Sequence, residues 1–282
     1  MQSFSTLELE KIAERAAKKL VRADALLIGA GAGMGVDSGL PDFRGENGFW
    51  KAYPPFRGRK YSEITSPTML DENPEQAWGF FSHCMVMYRN TAPHKGYETL
   101  LNWTKEHFSN YFVFTSNIDG HFAKSNFDPE RIYEIHGNTH YMQCGKGLLC
   151  SKDIWSAGDI DLPIEVDTMR AQGELPKCPR CNYLARPNIL LFGDRAFNPL
   201  RVVEQEHLYK KWRRDNDQAR IVALEFGAGE AVPTVRYECQ RIGSPLIRVN
   251  PTDFGASIDS ISFPAPACVA IGLIDKHLGK TP

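Results

Sequence analysis

The stretch ALLIGAGAGMGVDSGLPDFRG at residues 25–45 joins a short apolar run to a glycine-rich loop. An apolar run of this length that ends in glycines is typical of a buried strand, and glycines after a strand let backbone amides approach a phosphate group. Glycine turns also follow strands for purely conformational reasons, so the loop alone is a weak indication of phosphate binding. The Pro-Asp-Phe-Arg sequence at 41–44 is not part of the usual dinucleotide-binding loop.

Other strand-like runs in the sequence also end in small or polar residues. YFVFTS at 111–116 leads into Asn-Ile-Asp-Gly, ARIVALEF at 219–226 into Gly-Ala-Gly-Glu, and PLIRVN at 245–250 into a proline. PNILLF at 187–192 is predicted to be a further strand, and helical spacing separates the runs, as at 76–88. This alternation predicts an α/β fold with a doubly wound, mostly parallel sheet, whose ligands bind beyond the carboxyl ends of the strands.

The composition of the 282-residue chain excludes several classes of protein. Its 33 Lys and Arg residues balance 34 Asp and Glu residues, so there is no general attraction to nucleic acid or to an anionic membrane. No run approaches the roughly 20 apolar residues of a membrane helix, and the N-terminal segment lacks a secretory pattern. We expect a cytoplasmic protein without a direct nucleic-acid or membrane partner, and nothing in the sequence predicts its oligomeric state.

Four of the seven cysteines lie close together, as the pairs Cys144 with Cys150 and Cys178 with Cys181. The second pair has the spacing of a zinc knuckle, whereas the spacing of the first is wider than usual. Four thiolates favour a structural, tetrahedral zinc site; the alternative is that the first pair are ordinary buried thiols. The polar stretch 151–177 between the pairs is predicted to belong to an inserted module.

Two polar segments carry side chains suited to catalysis. TSNIDGHF at 115–122 contains Asn117 and Asp119, although both residue types also cap helices. EIHGN at 134–138 contains His136, a candidate general base because an imidazole titrates near neutral pH, although a single histidine is more often structural.

In their order along the chain these segments resemble the motifs of the sirtuin family, the NAD-dependent protein deacylases. Gly31–Gly33 with SGLPDFRG at 38–45 is similar to the first motif of the family, TSNIDG to its Thr-Gln-Asn-Ile-Asp-Gly, and EIHG to its histidine motif. The cysteine pairs fall at its zinc module, and RPNILLFGD at 186–194 is similar to its Arg-Pro-x-x-x-x-Phe-Gly-Glu. FGAGE at 226–230 and VNP at 249–251 occupy the places of its later nucleotide-binding loops. The chain is identified as a divergent, bacterial-type member.

The resemblance implies three structural parts. Residues 1–43, 90–140 and 186–282 would form a discontinuous Rossmann-like domain that binds NAD. Residues 44–89 would form the cofactor loop and the helical insertion of a smaller domain, and residues 141–185 its zinc-binding module. NAD and zinc are therefore the implied cofactors.

The resemblance also implies roles for individual residues. His136 would be the general base, with Asn117 as a second catalytic residue, and Asp119 would recognise the nicotinamide carboxamide. Phe43 would cover the nicotinamide ribose, and Arg44 would contact the cofactor. The residues implied to contact NAD are Gly31, Ala32, Gly33, Asp42, Phe43, Arg44, Ser116, Asn117, Ile118, Asp119, Gly227, Ala228, Gly229, Asn250 and Pro251. The residues implied to bind zinc are Cys144, Cys150, Cys178 and Cys181.

The implied activity is removal of an acyl group from a lysine of a protein substrate, with release of nicotinamide and an O-acyl-ADP-ribose. Phe81 and Cys84 stand where the members specific for acidic acyl groups have a Tyr and an Arg. An acidic acyl group would then be buried unpaired, so an acetyl or longer apolar group is favoured, with acetyl first.

Some motif positions depart from the family pattern. Gly35 stands in place of a hydroxyl residue, Ser116 in place of Gln, and Ala228 with Gly229 in place of Thr-Ser. Glu230 stands in place of Leu and is either a ribose ligand or solvent-facing. These departures keep two alternatives open: an NAD-dependent protein ADP-ribosyltransferase or NAD hydrolase, and a non-catalytic sensor of NAD or acyl-lysine.

Overall fold

The computed structural model describes residues 4–42, 53–242, 245–255 and 260–279. The α-helices are α1 (Thr6–Leu20), α2 (Gly33–Val36), α3 (Tyr61–Ile64), α4 (Pro67–Glu72), α5 (Pro74–Asn90), α6 (Lys95–Glu106), α7 (His121–Lys124), α8 (Leu200–Asp215), α9 (Thr234–Arg241) and α10 (Ala267–Leu278). The strands are β1 (Ala25–Ala30), β2 (Tyr111–Thr115), β3 (Ile132–Glu134), β4 (Gly137–Cys144), β5 (Ile154–Ser156), β6 (Ile164–Glu165), β7 (Arg170–Ala171), β8 (Ala185–Ile189), β9 (Ile221–Phe226), β10 (Leu246–Val249) and β11 (Ile261–Phe263). Short 3-10 turns lie at Pro54–Phe56, Pro129–Arg131 and Gly147–Leu149. Within these ranges no helix is both long enough and apolar enough to span a bilayer.

The main sheet has the strand order β11-β10-β9-β1-β2-β3, and every neighbouring pair in it is parallel. Side chains alternate across β1, so that Leu26 and Ile28 enter the core under α1, α6 and α10. Ala25 and Leu27 enter a second core under α8 and α9. Both faces of the sheet are therefore covered, which confirms the predicted doubly wound α/β fold.

A separate core lies beside this sheet and is built around α5. Trp78, Phe81 and Met85 of this helix pack with residues of the three-stranded antiparallel sheet β5-β4-β8 and of the hairpin β6-β7. The Trp78 indole Nε1 donates to the Ala185 carbonyl oxygen at 3.1 Å, which ties the helix to β8. The domain boundaries expected from the sequence stay a prediction.

The apolar run PNILLF was expected to be a strand from 187 to 192, and this expectation is wrong in part. The strand is Ala185–Ile189, and it pairs antiparallel with β4, outside the parallel sheet. The chain leaves the strand because the Leu190 amide donates to the His136 carbonyl and the Phe192 amide donates to the Thr65 carbonyl. The apolar run after β8 therefore leaves the sheet and lies against the segments that contain His136 and Thr65.

Candidate functional site

A cavity of about 690 Å³ opens at the carboxyl ends of β1, β2 and β9. Its volume falls within the range of small-molecule sites, about 300–1,000 Å³. The lining comes from residues 40–42, 116–119, 189–192 and 228–232, together with side chains between them such as His136. The cavity thus lies where the strand ends of the parallel sheet predict a ligand.

Two glycine loops meet backbone to backbone beside the cavity. A Cβ atom on Gly31 would lie 2.7 Å from the Ala228 Cα atom, and one on Gly33 would lie 2.7 Å from the Gly227 Cα atom. Gly227 itself has a φ of +56°, which a side chain disfavours. Gly31 and Gly33 are therefore required by the contact between the loops, while Ala32 between them lines the cavity.

Asn117 and Asp119 follow β2 and present buried polar groups to the cavity. The Asn117 backbone amide donates to the Thr115 hydroxyl at 3.0 Å, whereas its side-chain Nδ2 is buried without a partner among the described residues. Asp119 Oδ1 accepts from the His121 amide at 2.9 Å. Burial raises the pKa of the Asp119 carboxyl to about 6, and the bond from the His121 amide opposes this shift. The Asn117 side-chain amide and the Asp119 carboxyl are thus both available to hydrogen-bond a polar ligand.

His136 lies two residues after the end of β3 and lines the same cavity. Its Nδ1 is 3.2 Å from the Ser116 carbonyl oxygen, which only accepts hydrogen bonds, so Nδ1 carries the proton. The Nε2 atom of the neutral ring then holds the free lone pair. Burial lowers the pKa of His136, which keeps this neutral form populated at pH 7. The geometry is that of a general base.

The structure brings together most of the residues predicted to contact NAD or to act in catalysis. Those lining the cavity are Ala32, Asp42, Ser116, Asn117, Ile118, Asp119, His136, Ala228 and Gly229. Five more belong to the same loops without being in the lining: Gly31, Gly33, Gly227, Asn250 and Pro251. Phe43 and Arg44 lie outside the described residues.

Asn250 was expected to contact the cofactor, but its side chain serves the neighbouring loops. Its Nδ2 donates to the Ala228 carbonyl oxygen at 3.2 Å, and its Oδ1 accepts from the Thr252 and Asp253 amides, each at 3.0 Å. These bonds engage both polar atoms of the side-chain amide and leave one hydrogen of Nδ2 without a partner among the described residues. Asn250 therefore shapes the loop that brings Asp253 to the cavity.

The sequence interpretation missed Arg236 and Asp253. Arg236, on α9, is buried, and its guanidinium donates to the carbonyl oxygens of Ala228 and Asp253 and pairs with Glu230 at 3.4 Å. Asp253 follows the end of a predicted strand, and this position could have been used to predict it as a residue of the site. Arg236 lies in an ordinary amphipathic helix, which carries no comparable signal.

The wall of residues 189–192 is fixed by a buried ion pair. Arg186 contacts Asp194 at 2.5 Å and donates to the Ile189 carbonyl oxygen at 2.6 Å, and both charged side chains are almost wholly buried. Asp194 Oδ2 also accepts from the Leu191 amide at 3.2 Å. The Arg and Asp of the RPNILLFGD segment thus bend the chain into the cavity wall.

The departures from the family pattern have distinct places in the structure. A Cβ atom on Gly35 would lie 3.5 Å from Asp119 Oδ2, so a hydroxyl residue at 35 would stand beside this carboxyl. Phe81 and Cys84 are buried in the core around α5, outside the cavity lining. Tyr88 is the residue of α5 that reaches the lining.

The four predicted zinc ligands come together in one cluster. Their sulfur atoms all lie within 4.8 Å of one another. Cys144 is 3.7 Å from Cys181, and Cys150 is 3.9 Å from Cys178. A tetrahedral zinc with Zn–S bonds of about 2.3 Å holds its sulfurs about 3.8 Å apart, so the cluster fits zinc closely. The wider spacing of the first pair in sequence is absorbed by the 3-10 turn Gly147–Leu149.

Comparisons with known proteins agree with this geometry. The model of the Sir2 family matches residues 31–211. An NAD-dependent protein deacylase of Thermococcus kodakarensis is 28% identical over 239 residues, 83% of each chain. An NAD-dependent protein deacetylase of Saccharolobus solfataricus is 30% identical over 187 residues, 66% of this chain and 68% of that one. A solved Sir2 homologue in complex with NAD shares the fold with a TM-score of 0.70 at 20% identity, over 95% of this chain and 94% of that one.

Proposed function

Because the chain belongs to the Sir2 family, we propose that it is an NAD-dependent protein-lysine deacylase that releases nicotinamide and an O-acyl-ADP-ribose. The observation that carries the proposal is the shared cavity of His136, Asn117 and Asp119, whose lining combines a neutral imidazole, an amide Nδ2 without a partner among the described residues and a buried carboxyl. The relatives named as deacylases and deacetylases support it. The cytoplasmic location expected from the sequence stays a prediction.

The residues present fit NAD as the cofactor. Leaving Asn117 Nδ2 buried without an acceptor costs about 1–3 kcal/mol, which a bound carbonyl or hydroxyl group would recover. Asp119 in its ionised form accepts N–H donors such as those of a carboxamide. When bound, NAD supplies the ribose carbon to which the acyl oxygen bonds as nicotinamide leaves. Asn117 and Asp119 would hold the nicotinamide end.

His136 would then act by moving a proton. Its Nδ1–H donates to Ser116, so Nε2 is the atom that accepts the proton of a ribose hydroxyl. The lowered pKa keeps this atom unprotonated at neutral pH. The Leu190 amide, which donates to the His136 carbonyl at 2.9 Å, holds the residue against the cavity wall.

The charge of the cavity supports a neutral acyl group. Among the described residues the lining contains no lysine or arginine, and at the catalytic end it contains the acidic residue Asp119. An acidic acyl chain would meet no cationic partner in this described lining, which is costly in a desolvated site. Acetyl or a longer apolar acyl group is the proposed substrate group, carried on a lysine of a protein.

The test is an assay with NAD and a set of acylated peptides, in which products are identified by mass spectrometry. We expect acetyl-peptide to yield O-acetyl-ADP-ribose, and His136→Ala to lower the rate by at least about 100-fold, the usual contribution of a general base. His207→Ala, at an exposed histidine on α8, is the matched control and keeps the rate.

Other products would contradict the proposal. Cleavage of NAD that leaves every acyl-peptide intact would point to an ADP-ribosyltransferase or NAD hydrolase. Binding of NAD without any turnover would point to a sensor.

A further inference from the structure

The cavity has an acidic end that the proposed deacylation does not use. Glu230 follows β9 and Asp253 follows β10, and both line the cavity. In the sheet, β9 and β10 lie on the opposite side of β1 from β2 and β3, whose ends carry Asn117 and His136. With neighbouring strands about 4.8 Å apart, the ends of β3 and β9 are separated by about 14 Å. The acidic end is thus distant from the catalytic end.

This strand order indicates which strand ends would bind each part of a dinucleotide. If the nicotinamide nucleoside occupies the ends of β2 and β3, the diphosphate falls at the glycine loops after β1 and β9. The second nucleoside, adenosine, then falls at the ends of β9 and β10. Glu230 and Asp253 are the acidic residues of the lining at that end.

Arg236 joins the two loops that carry these carboxylates. Its Nε donates to the Ala228 carbonyl oxygen at 3.0 Å, its Nη2 donates to the Asp253 carbonyl oxygen, and its Nη1 lies 3.4 Å from Glu230 Oε1. The Arg236 side chain is only 9% exposed. Every nitrogen of the guanidinium therefore has an acceptor within the protein, so the group holds the loops together and is not offered to a phosphate of a ligand.

The Glu230 side chain is available to a ligand at this end. It is 74% exposed, and its Oε2 has no partner among the described residues. A carboxylate accepts hydrogen bonds from the hydroxyls of a ribose, and in dinucleotide sites an acidic residue at the ribose 2′-hydroxyl is the feature that favours NAD. A phosphate at the same position would meet like charge.

We propose that Glu230, held by Arg236, binds the ribose hydroxyls at the adenosine end and makes the site selective for NAD over NADP. The inference rests on the proposed function, since it takes the other end of the cavity as the nicotinamide site. Of the two roles left open for Glu230, a ribose ligand or a solvent-facing residue, the proposal takes the first. Arg236 acts as a positioning residue.

The experiment compares the binding of ADP-ribose and of ADP-ribose 2′-phosphate by isothermal titration calorimetry, so that no turnover is needed. We expect wild type to prefer ADP-ribose, and Glu230→Gln to reduce the ratio of the two affinities at least 10-fold, because ADP-ribose binds more weakly and the 2′-phosphate more tightly. Glu14→Gln on α1 is the matched control, since Glu14 is also an exposed carboxylate paired with a basic residue, Lys18. It leaves the ratio unchanged.

The outcomes separate this proposal from the proposed function. Selective binding whose ratio is the same in wild type and Glu230→Gln would overturn the role of Glu230 alone. Equal binding of both ligands by wild type would overturn the selectivity. A wild type that binds neither ligand would overturn both proposals, while selectivity that depends on Glu230 in a protein without deacylase activity would support this inference and refute only the function.

Discussion

Replacing Asp119 with asparagine is expected to stabilise the fold while it weakens cofactor binding. The wild-type carboxyl is buried, and burial raises its pKa from 3.8 to about 6. Ionising it at neutral pH therefore costs folding free energy, which a neutral amide does not. The asparagine Oδ1 still accepts a hydrogen bond from the His121 amide, as Asp119 Oδ1 does at 2.9 Å, so the turn after β2 is preserved.

The size of the effect follows from the pKa shift. A raised pKa means that the folded state holds the proton more tightly, so the contribution of Asp119 to stability is lost as pH rises from 3.8 through about 6. At about 1.36 kcal/mol per unit of pKa, a shift of about 2 units makes Asp119→Asn more stable by about 3 kcal/mol at pH 8. The same relation gives a gain of about 1 kcal/mol at pH 4.5.

The assay is urea unfolding followed by circular dichroism, in zinc-containing buffer, for wild type and variant at both pH values. Asp167→Asn, at an exposed aspartate, is the control and changes the free energy of unfolding little at either pH. A gain for Asp119→Asn that is the same at pH 4.5 and pH 8 would refute the argument from burial of charge. In a parallel titration calorimetry experiment, the variant should bind NAD at least about 10-fold more weakly, since a hydrogen bond to a charged group contributes about 1.5–3 kcal/mol.

Three further predictions follow from the loops, the histidine and the cysteines. Gly33→Ala would bring its Cβ atom to 2.7 Å from Gly227, so we expect a loss of at least about 2 kcal/mol in urea unfolding, while Gly279→Ala, in open space, is tolerated. Because burial lowers the pKa of His136 from 6.5, the fall in deacylation rate on acidification should be centred below pH 6.5; a fall centred above pH 6.5 would contradict this assignment. Cys178→Ser should reduce the bound zinc measured by atomic absorption and lower the melting temperature, whereas Cys268→Ser, outside the cluster, should retain the zinc.

The part of the site that the sequence predicted depends on strand ends. Asn117 and Asp119 were predicted because they follow the apolar run at 111–116, and in a parallel sheet such ends share one edge. His136 was predicted from the short motif EIHGN, and the roles of all three residues came from the resemblance to the sirtuin motifs. The cysteine cluster was predicted because the number of cysteines, their spacing and their affinity for zinc can be judged from the sequence alone. Local sequence carries this information directly.

The remaining part depends on contacts between distant segments. Residues 190–192 continue an apolar run, but their amide bonds to His136 and Thr65, together with the pairing of Arg186 with Asp194, take them out of the strand and into the cavity wall. Arg236 stands in an amphipathic helix whose pattern does not distinguish a solvent-facing arginine from one that holds two loops. The periodicity of apolar residues carries no information about bonds between distant segments, so these residues could not be predicted from it.

The backbone contact between the loops of Gly31–Gly33 and Gly227–Ala228 also restricts how this protein can evolve. When two side chains clash, a smaller residue at either position restores the fit, so sequence change can proceed in compensating pairs. At this contact Gly33 meets the backbone of Gly227, which has no side chain left to shorten. No second substitution there can rescue a first, and a mutational library aimed at a new cofactor should vary residues 230 and 253 while it leaves these glycines unchanged.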